Sequence, residues 1–99
     1  MIRGTTPTLE FVLPFDTATI AEASVTLAQR GGVVLTKKLE SCKCEGEKLT
    51  VQLTQAETLQ LQCGCITEIQ VRVRTKSGDA LASDIIKVNT HRILEDGEI

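Results

Sequence analysis

The ten residues Ile66–Thr75, ITEIQVRVRT, alternate with period two: Ile69, Val71 and Val73 on one side, Glu68, Gln70, Arg72 and Arg74 on the other. Such alternation puts one set of side chains on each face of an extended chain, and a helix cannot keep it. The same rhythm sets Leu9, Phe11 and Leu13 together in TLEFVL, Ala23, Val25 and Leu27 in ASVTLAQ, and Leu49, Val51 and Leu53 in KLTVQLT. Runs of this kind, rich in β-branched residues, predict strands with one buried and one solvated face.

Turn chemistry separates the runs. RGG (Arg30–Gly32) predicts a hairpin from ASVTLAQ into VVLTKKL, and KSGD predicts another after Thr75. Lys37 breaks the inward parity of Val33, Leu35 and Leu39, so a bulge or an early exit from the sheet is expected there. In the last run Ile86 and Val88 alternate with Ile85, Lys87 and Asn89, with a possible break at Ser83-Asp84. Two segments depart from the alternation. Asp16 is positioned to cap one helical turn in DTATIAEA, and Thr54 with Glu57 forms a capping box in TQAETLQL. That second turn would carry Leu59 and Leu61 into the open end of the core. The fold class expected is all-β: an immunoglobulin-like antiparallel β-sandwich of six to seven strands with one or two short helical turns.

Ninety-nine residues, 41% of them apolar, suffice for one domain spanning 1–99 with a core that needs no metal or disulfide. The only aromatics are Phe11 and Phe15, so no stacking platform for single-stranded nucleic acid is expected, and a net charge of -2 gives no basic footprint. No nucleic-acid partner and no membrane partner is expected: no run approaches the roughly 18 apolar residues of a membrane span. The first residues carry no apolar stretch of signal-peptide length, which predicts synthesis in the cytoplasm with reduced thiols.

The four cysteines form two Cys-x-Cys pairs, Cys42/Cys44 and Cys63/Cys65. Residues two apart share a face of a strand, so each pair can present both sulfurs together. The strand from Lys48 to Thr54 separates the pairs by about 20 Å at about 3.3 Å per residue, which argues against one four-sulfur site. Cys44 and Cys65 are expected as small buried side chains at strand edges, with Cys42 and Cys63 half-exposed. His91, Ser83 and Ser41 have no spacing that assembles a nucleophile, base and orienting acid. No catalytic, cofactor-binding or metal-ligating residue is assigned and no cofactor is expected.

The opening IRGTTPTLEFVLPFD, the segment LTQAETLQL and the stretch EIQVRVRTKSGDALASDIIKVNTHRIL resemble a family of small prophage-encoded proteins of Gram-positive bacteria over nearly the whole chain. In outline the chain is also similar to the N-terminal immunoglobulin-like domain of siphophage upper baseplate proteins. Those open with a Gly-Asp/Thr-Thr-like motif and carry a Leu-Thr-x-x-Glu/Asp-Thr turn, matched here by Gly4 to Thr6 and Leu53 to Thr58. The resemblance implies a tail, baseplate or virion-assembly component acting by protein–protein contact, and it transfers no catalytic residue.

The expected function is a non-catalytic interaction module of phage or prophage origin. Its partners would be other phage structural proteins, and it would form a homo-oligomer, as a dimer. The first strand is the expected sticky edge, since only Glu10 guards it and Val12 faces outward. The alternative is a thiol-based metal-binding or redox protein using Cys42, Cys44, Cys63 and Cys65. Arg72, Arg74 and Lys87 offer a basic stripe that suits an acidic partner or serves only solubility.

Overall fold

A computed structural model describes residues 1–99. The strands are β1 (Thr8–Val12), β2 (Ile20–Gln29), β3 (Gly32–Lys38), β4 (Cys42–Glu45), β5 (Lys48–Gln52), β6 (Ile66–Thr75), β7 (Ala80–Ala82) and β8 (Ile86–Asn89). One short helix, α1 (Gln55–Thr58), and 3-10 turns at Thr17–Thr19 and Leu39–Ser41 complete the chain.

Every strand pair is antiparallel, and the strands make two sheets. One has the order β1-β5-β4; the other runs β3-β2-β6, with β7 and β8 both paired to the far edge of β6. β7 and β8 are one strand position broken in two, which leaves seven positions. Their order is that of an immunoglobulin sandwich, with β1, β5 and β4 at positions B, E and D, and β3, β2, β6 and β7/β8 at C′, C, F and G.

The alternation accounts for the core. Val25, Leu27, Leu49 and Leu53 are fully buried, and Phe11, Leu13, Val51, Ile69, Val71 and Val73 complete the layer between the sheets. The β2–β3 hairpin closes through Arg30 at φ 51° and Gly31 at φ 78°. Two successive residues with positive φ are what a type I′ turn demands, and that turn matches the twist of the flanking strands. The expected caps are present. Asp16 accepts the N–H of Ala18 at 2.9 Å, while Thr54 Oγ1 accepts from Glu57 N at 3.1 Å and the Glu57 carboxylate accepts from Thr54 N at 2.8 Å. α1 delivers Leu61 to the core at 1% exposure, and Leu59 stops half-buried against Gly4.

Three details differ from expectation. The bulge in β3 lies at Val34: Leu35 faces Leu27 and Val33 faces Ala28, so Val34 is the extra residue. Lys37 stays in register opposite Val25 with its ammonium tied to Glu57, so burial there is balanced by charge pairing rather than avoided by a bulge. β4 forms over Cys-Lys-Cys-Glu, which lacks large apolar residues, because the β4–β5 hairpin pairs Cys42 with Val51 and Cys44 with Leu49.

The N-terminal residues take an unusual path. His91 N donates to Met1 O at 2.7 Å and Arg3 N to His91 O at 3.1 Å, a parallel bridge of Ile2 to His91 just beyond β8. The Arg3 guanidinium then donates to Leu61 O at 2.6 Å, to Leu59 O at 2.9 Å and to Asp96 Oδ1 at 2.6 Å. These residues lie beside β8 and not beside β1, which leaves β1 without an outer neighbour.

Candidate functional site

β1 pairs with β5 alone, Leu9 opposite Val51 and Phe11 opposite Leu49. Hydrogen bonds just past its ends fix which backbone groups β5 takes: Leu53 N donates to Pro7 O at 2.9 Å and Leu13 N to Glu47 O at 2.8 Å. In an antiparallel pair the bonded residues recur at every second position. Pro7, Leu9, Phe11 and Leu13 therefore turn their backbone groups toward β5, while Thr8, Glu10 and Val12 turn theirs outward. Three N–H and three C=O groups on β1 thus face solvent in a row. The side chains of the same three residues lie on the outer face of the sheet, and Val12 is 72% exposed.

The remaining edges are guarded. β3 carries its bulge and ends in Lys37 and Lys38. β7 and β8 part at Ser83, whose Oγ accepts the N–H of Val71 at 3.1 Å and whose N–H reaches Val71 O at 2.9 Å. Beyond that break Met1 to Arg3 cover the strand end at His91. β4 is only four residues long. Short, bulged, broken and covered edges resist strand addition, and an unbroken bare one invites it.

Electrostatics around β1 are mild. Glu10 Oε1 lies 3.6 Å from Lys48 Nζ with both side chains more than half exposed, a geometry that contributes little in water. The basic stripe does not form as expected. Arg74 is paired with Glu22 at 3.1 Å, Lys87 stands opposite Glu68, and Arg72 faces Ser24 and Ala82. The cations are separated by acidic and neutral neighbours because cross-strand register, which sequence spacing does not specify, decides who meets whom.

Cys42 and Cys44 lie on β4, while Cys63 and Cys65 lie in the turn that leads into β6. Cys42 and Cys44 share the inward face of β4, as alternation requires, but β4 is an edge strand and its inward face is only partly covered. Cys42, opposite Val51 and packed against the core, is half-buried; Cys44, nearer the hairpin end, is exposed. The expectation that Cys44 is the buried member of its pair is therefore corrected. Burial pushes the Cys42 thiol up, with the neighbouring Cys44 adding to this and Lys37 opposing it. Cys63 is exposed and Cys65 half-buried, its Sγ donating to Gln62 O at 3.3 Å.

The turn bearing that second pair is held by a buried polar cluster. Gln29 Nε2 donates to Gln62 O at 2.9 Å and to Thr67 Oγ1 at 3.1 Å, while Gln62 N donates to Gln29 Oε1 at 2.8 Å. Thr67 and Thr90 share a hydroxyl hydrogen bond, and Thr90 N donates to Cys65 O at 3.1 Å. No buried side-chain polar atom lacks a partner, so the cluster is closed on itself as a structural anchor.

Nowhere do three or more His, Cys, Asp or Glu residues stand close enough to hold a metal ion. His91, Ser83 and Ser41 occupy separate places: His91 against Met1 and Arg3, Ser83 at the β7/β8 break, Ser41 in the 3-10 turn before β4. No helix is long and apolar enough to cross a membrane. Sequence reading misses the roles of Arg3 and Ser83, whose partners are distant in sequence or on the backbone. It finds that β1 is unguarded, because a run with no Lys and no internal Pro is visible directly, while the order β1-β5-β4 places that run at an edge. No family model, curated protein or solved structure matches this chain.

Proposed function

We propose that the chain is a non-catalytic protein–protein interaction module of phage or prophage origin, working in a tail, a baseplate or the assembly of a virion. It is made in the cytoplasm and carried from there into a particle. Docking proceeds by addition of an extended strand to β1, where backbone groups supply affinity and alternate side chains supply specificity. The observation that supports this reading is the bare backbone edge at Thr8, Glu10 and Val12, beside three edges that are guarded. In the absence of its assembly partner, the same edge pairs weakly with a second copy across a two-fold axis, giving a dimer.

Light scattering on a sizing column tests this. Mass should rise above 10.7 kDa as concentration increases, and Val12→Lys should return it to the monomer. A clean monomer at millimolar concentration defeats the self-pairing claim, and a dimer indifferent to Val12→Lys places the interface elsewhere. The alternative is a thiol-based metal-binding or redox protein using Cys42, Cys44, Cys63 and Cys65; its metal-binding form requires ligands from two chains, because no three such donors are grouped in one. One zinc per two chains in freshly reduced protein would revive it.

A further inference from the structure

The two sheets are unequal in width. β3 passes to β4 through the three-residue turn Leu39–Ser41, which sets β4 across from β3. Counting along the two strand orders then sets β5 across from β2 and β1 across from β6. No strand of the smaller sheet stands across from β7 and β8. Leu81 is opposite Val73 in the β6–β7 pair and Ile86 is opposite Ile69 in the β6–β8 pair, so both lie on the face that β6 turns to the core. Val73 and Ile69 are buried at 7% and 3%, whereas Leu81 and Ile86 are each 45% exposed. The larger sheet therefore overhangs by one strand position, and the outward backbone groups of Thr8, Glu10 and Val12 border the space beneath it.

Resting on the reading of β1 as an acceptor edge, we infer that this space takes a single extended segment of a partner chain with apolar residues at alternate positions. Its backbone pairs with Thr8, Glu10 and Val12, and its apolar side chains turn inward over Leu81 and Ile86. An extended segment already closes one end of the same side. Met1 to Arg3 run beside the end of β8, parallel at Ile2 and His91, and the chain then crosses past Gly4, packed on Leu59 and Ile93, to enter β1 at Thr8. The added segment continues that closure toward the Val12 end of β1. Alternation is required because one face of the segment meets the overhang and the other meets solvent. A second copy docking edge to edge brings its own larger sheet, which the overhanging β7 and β8 crowd. A lone segment brings none, and self-pairing stays weak for that reason.

Two end-capped peptides of one composition, KVTVTVK and KVVVTTK, test the inference on the intact chain. The alternating peptide should bind about fivefold more tightly, since only it turns all three valines to one face. That comparison uses the unaltered chain, so misfolding cannot produce it. Leu81→Ser combined with Ile86→Ser should weaken the alternating peptide about tenfold, whereas Val33→Ser, at an exposed apolar residue of β3, should leave it unchanged. Slowed amide exchange at Thr8, Glu10 and Val12 locates the binding. Slowing there with equal affinities for the two peptides, or with no loss in the double variant, overturns the overhang as part of the site and leaves the acceptor edge standing. No slowing with either peptide overturns the acceptor edge itself. If neither peptide is preferred but the double variant abolishes self-association, the occupant is a second copy and the lone-segment claim falls.

Discussion

Lys37 Nζ on β3 lies 2.8 Å from Glu57 Oε2 and 3.0 Å from Oε1, and the same carboxylate closes the capping box on Thr54 N at 2.8 Å. One side chain thus joins the outermost strand of the larger sheet to the turn that spans the sandwich. Burial raises the Glu57 carboxyl, but hydrogen bonds from Lys37 and Thr54 outweigh it and hold the group below its ordinary value of 4.5. Its ionised form is favoured by folding, so this stabilisation is complete above about pH 4.5 and fades as pH falls through the lowered folded value. Glu57→Gln should leave a chain less stable at pH 7 by about 1 kcal/mol and flatten its acid unfolding limb. Equal acid limbs for the two proteins contradict the assignment.

Thr54→Ala should destabilise the fold by about 1 kcal/mol, the scale of a lost N-cap oxygen. Since Lys37 acts through the Glu57 carboxylate, combining Glu57→Gln with Lys37→Met should fall short of the sum of the single effects. Denaturant melts of the four proteins supply the cycle, and strict additivity speaks against a shared carboxylate.

Arg3→Ala should detach the N-terminal residues, because it removes donors to Leu59 O, Leu61 O and Asp96 at once. About 1–3 kcal/mol is expected where charged donors are lost from partly buried carbonyls. Amide exchange at His91, whose N–H is bonded to Met1 O, should accelerate with little change in β2 and β6. Uniform acceleration across all strands would mean instead that Arg3 supports the whole fold.

Among the thiols, Cys44 and Cys63 should alkylate first with iodoacetamide at pH 8. Cys42 should be slowest, since its raised thiol leaves less thiolate and its sulfur is half-buried. Replacing all four by Ser or Ala should preserve the fold, with the largest cost, about 1 kcal/mol, at Cys42 where packing is lost. Unfolding by a chelator or by the quadruple substitution would demand a metal site between chains.

The strands were legible wherever apolar residues alternate, because period two assigns faces whatever the partner strand is. β4 escaped this logic, since its inward positions are Cys42 and Cys44 and only pairing with Val51 and Leu49 makes it a strand. Lys37 breaks the apolar pattern yet remains in the sheet, because Glu57 arrives from a segment 20 residues away. The same long-range ignorance hides Arg3, whose partners lie 56 to 93 residues downstream. The bare edge of β1 was half legible. Its lack of Lys and Pro can be read directly, but that the N-terminal residues lie beside β8 instead cannot.

The most direct test of the account is amide hydrogen exchange read residue by residue as protein concentration rises. Thr8, Glu10 and Val12 should exchange quickly in dilute solution and slow together as copies pair, while Leu9 and Phe11, already bonded to β5, stay protected throughout. Protection of Thr8, Glu10 and Val12 already complete in the monomer, or slowing confined to β3 or β7, would contradict the claim that β1 is the open edge.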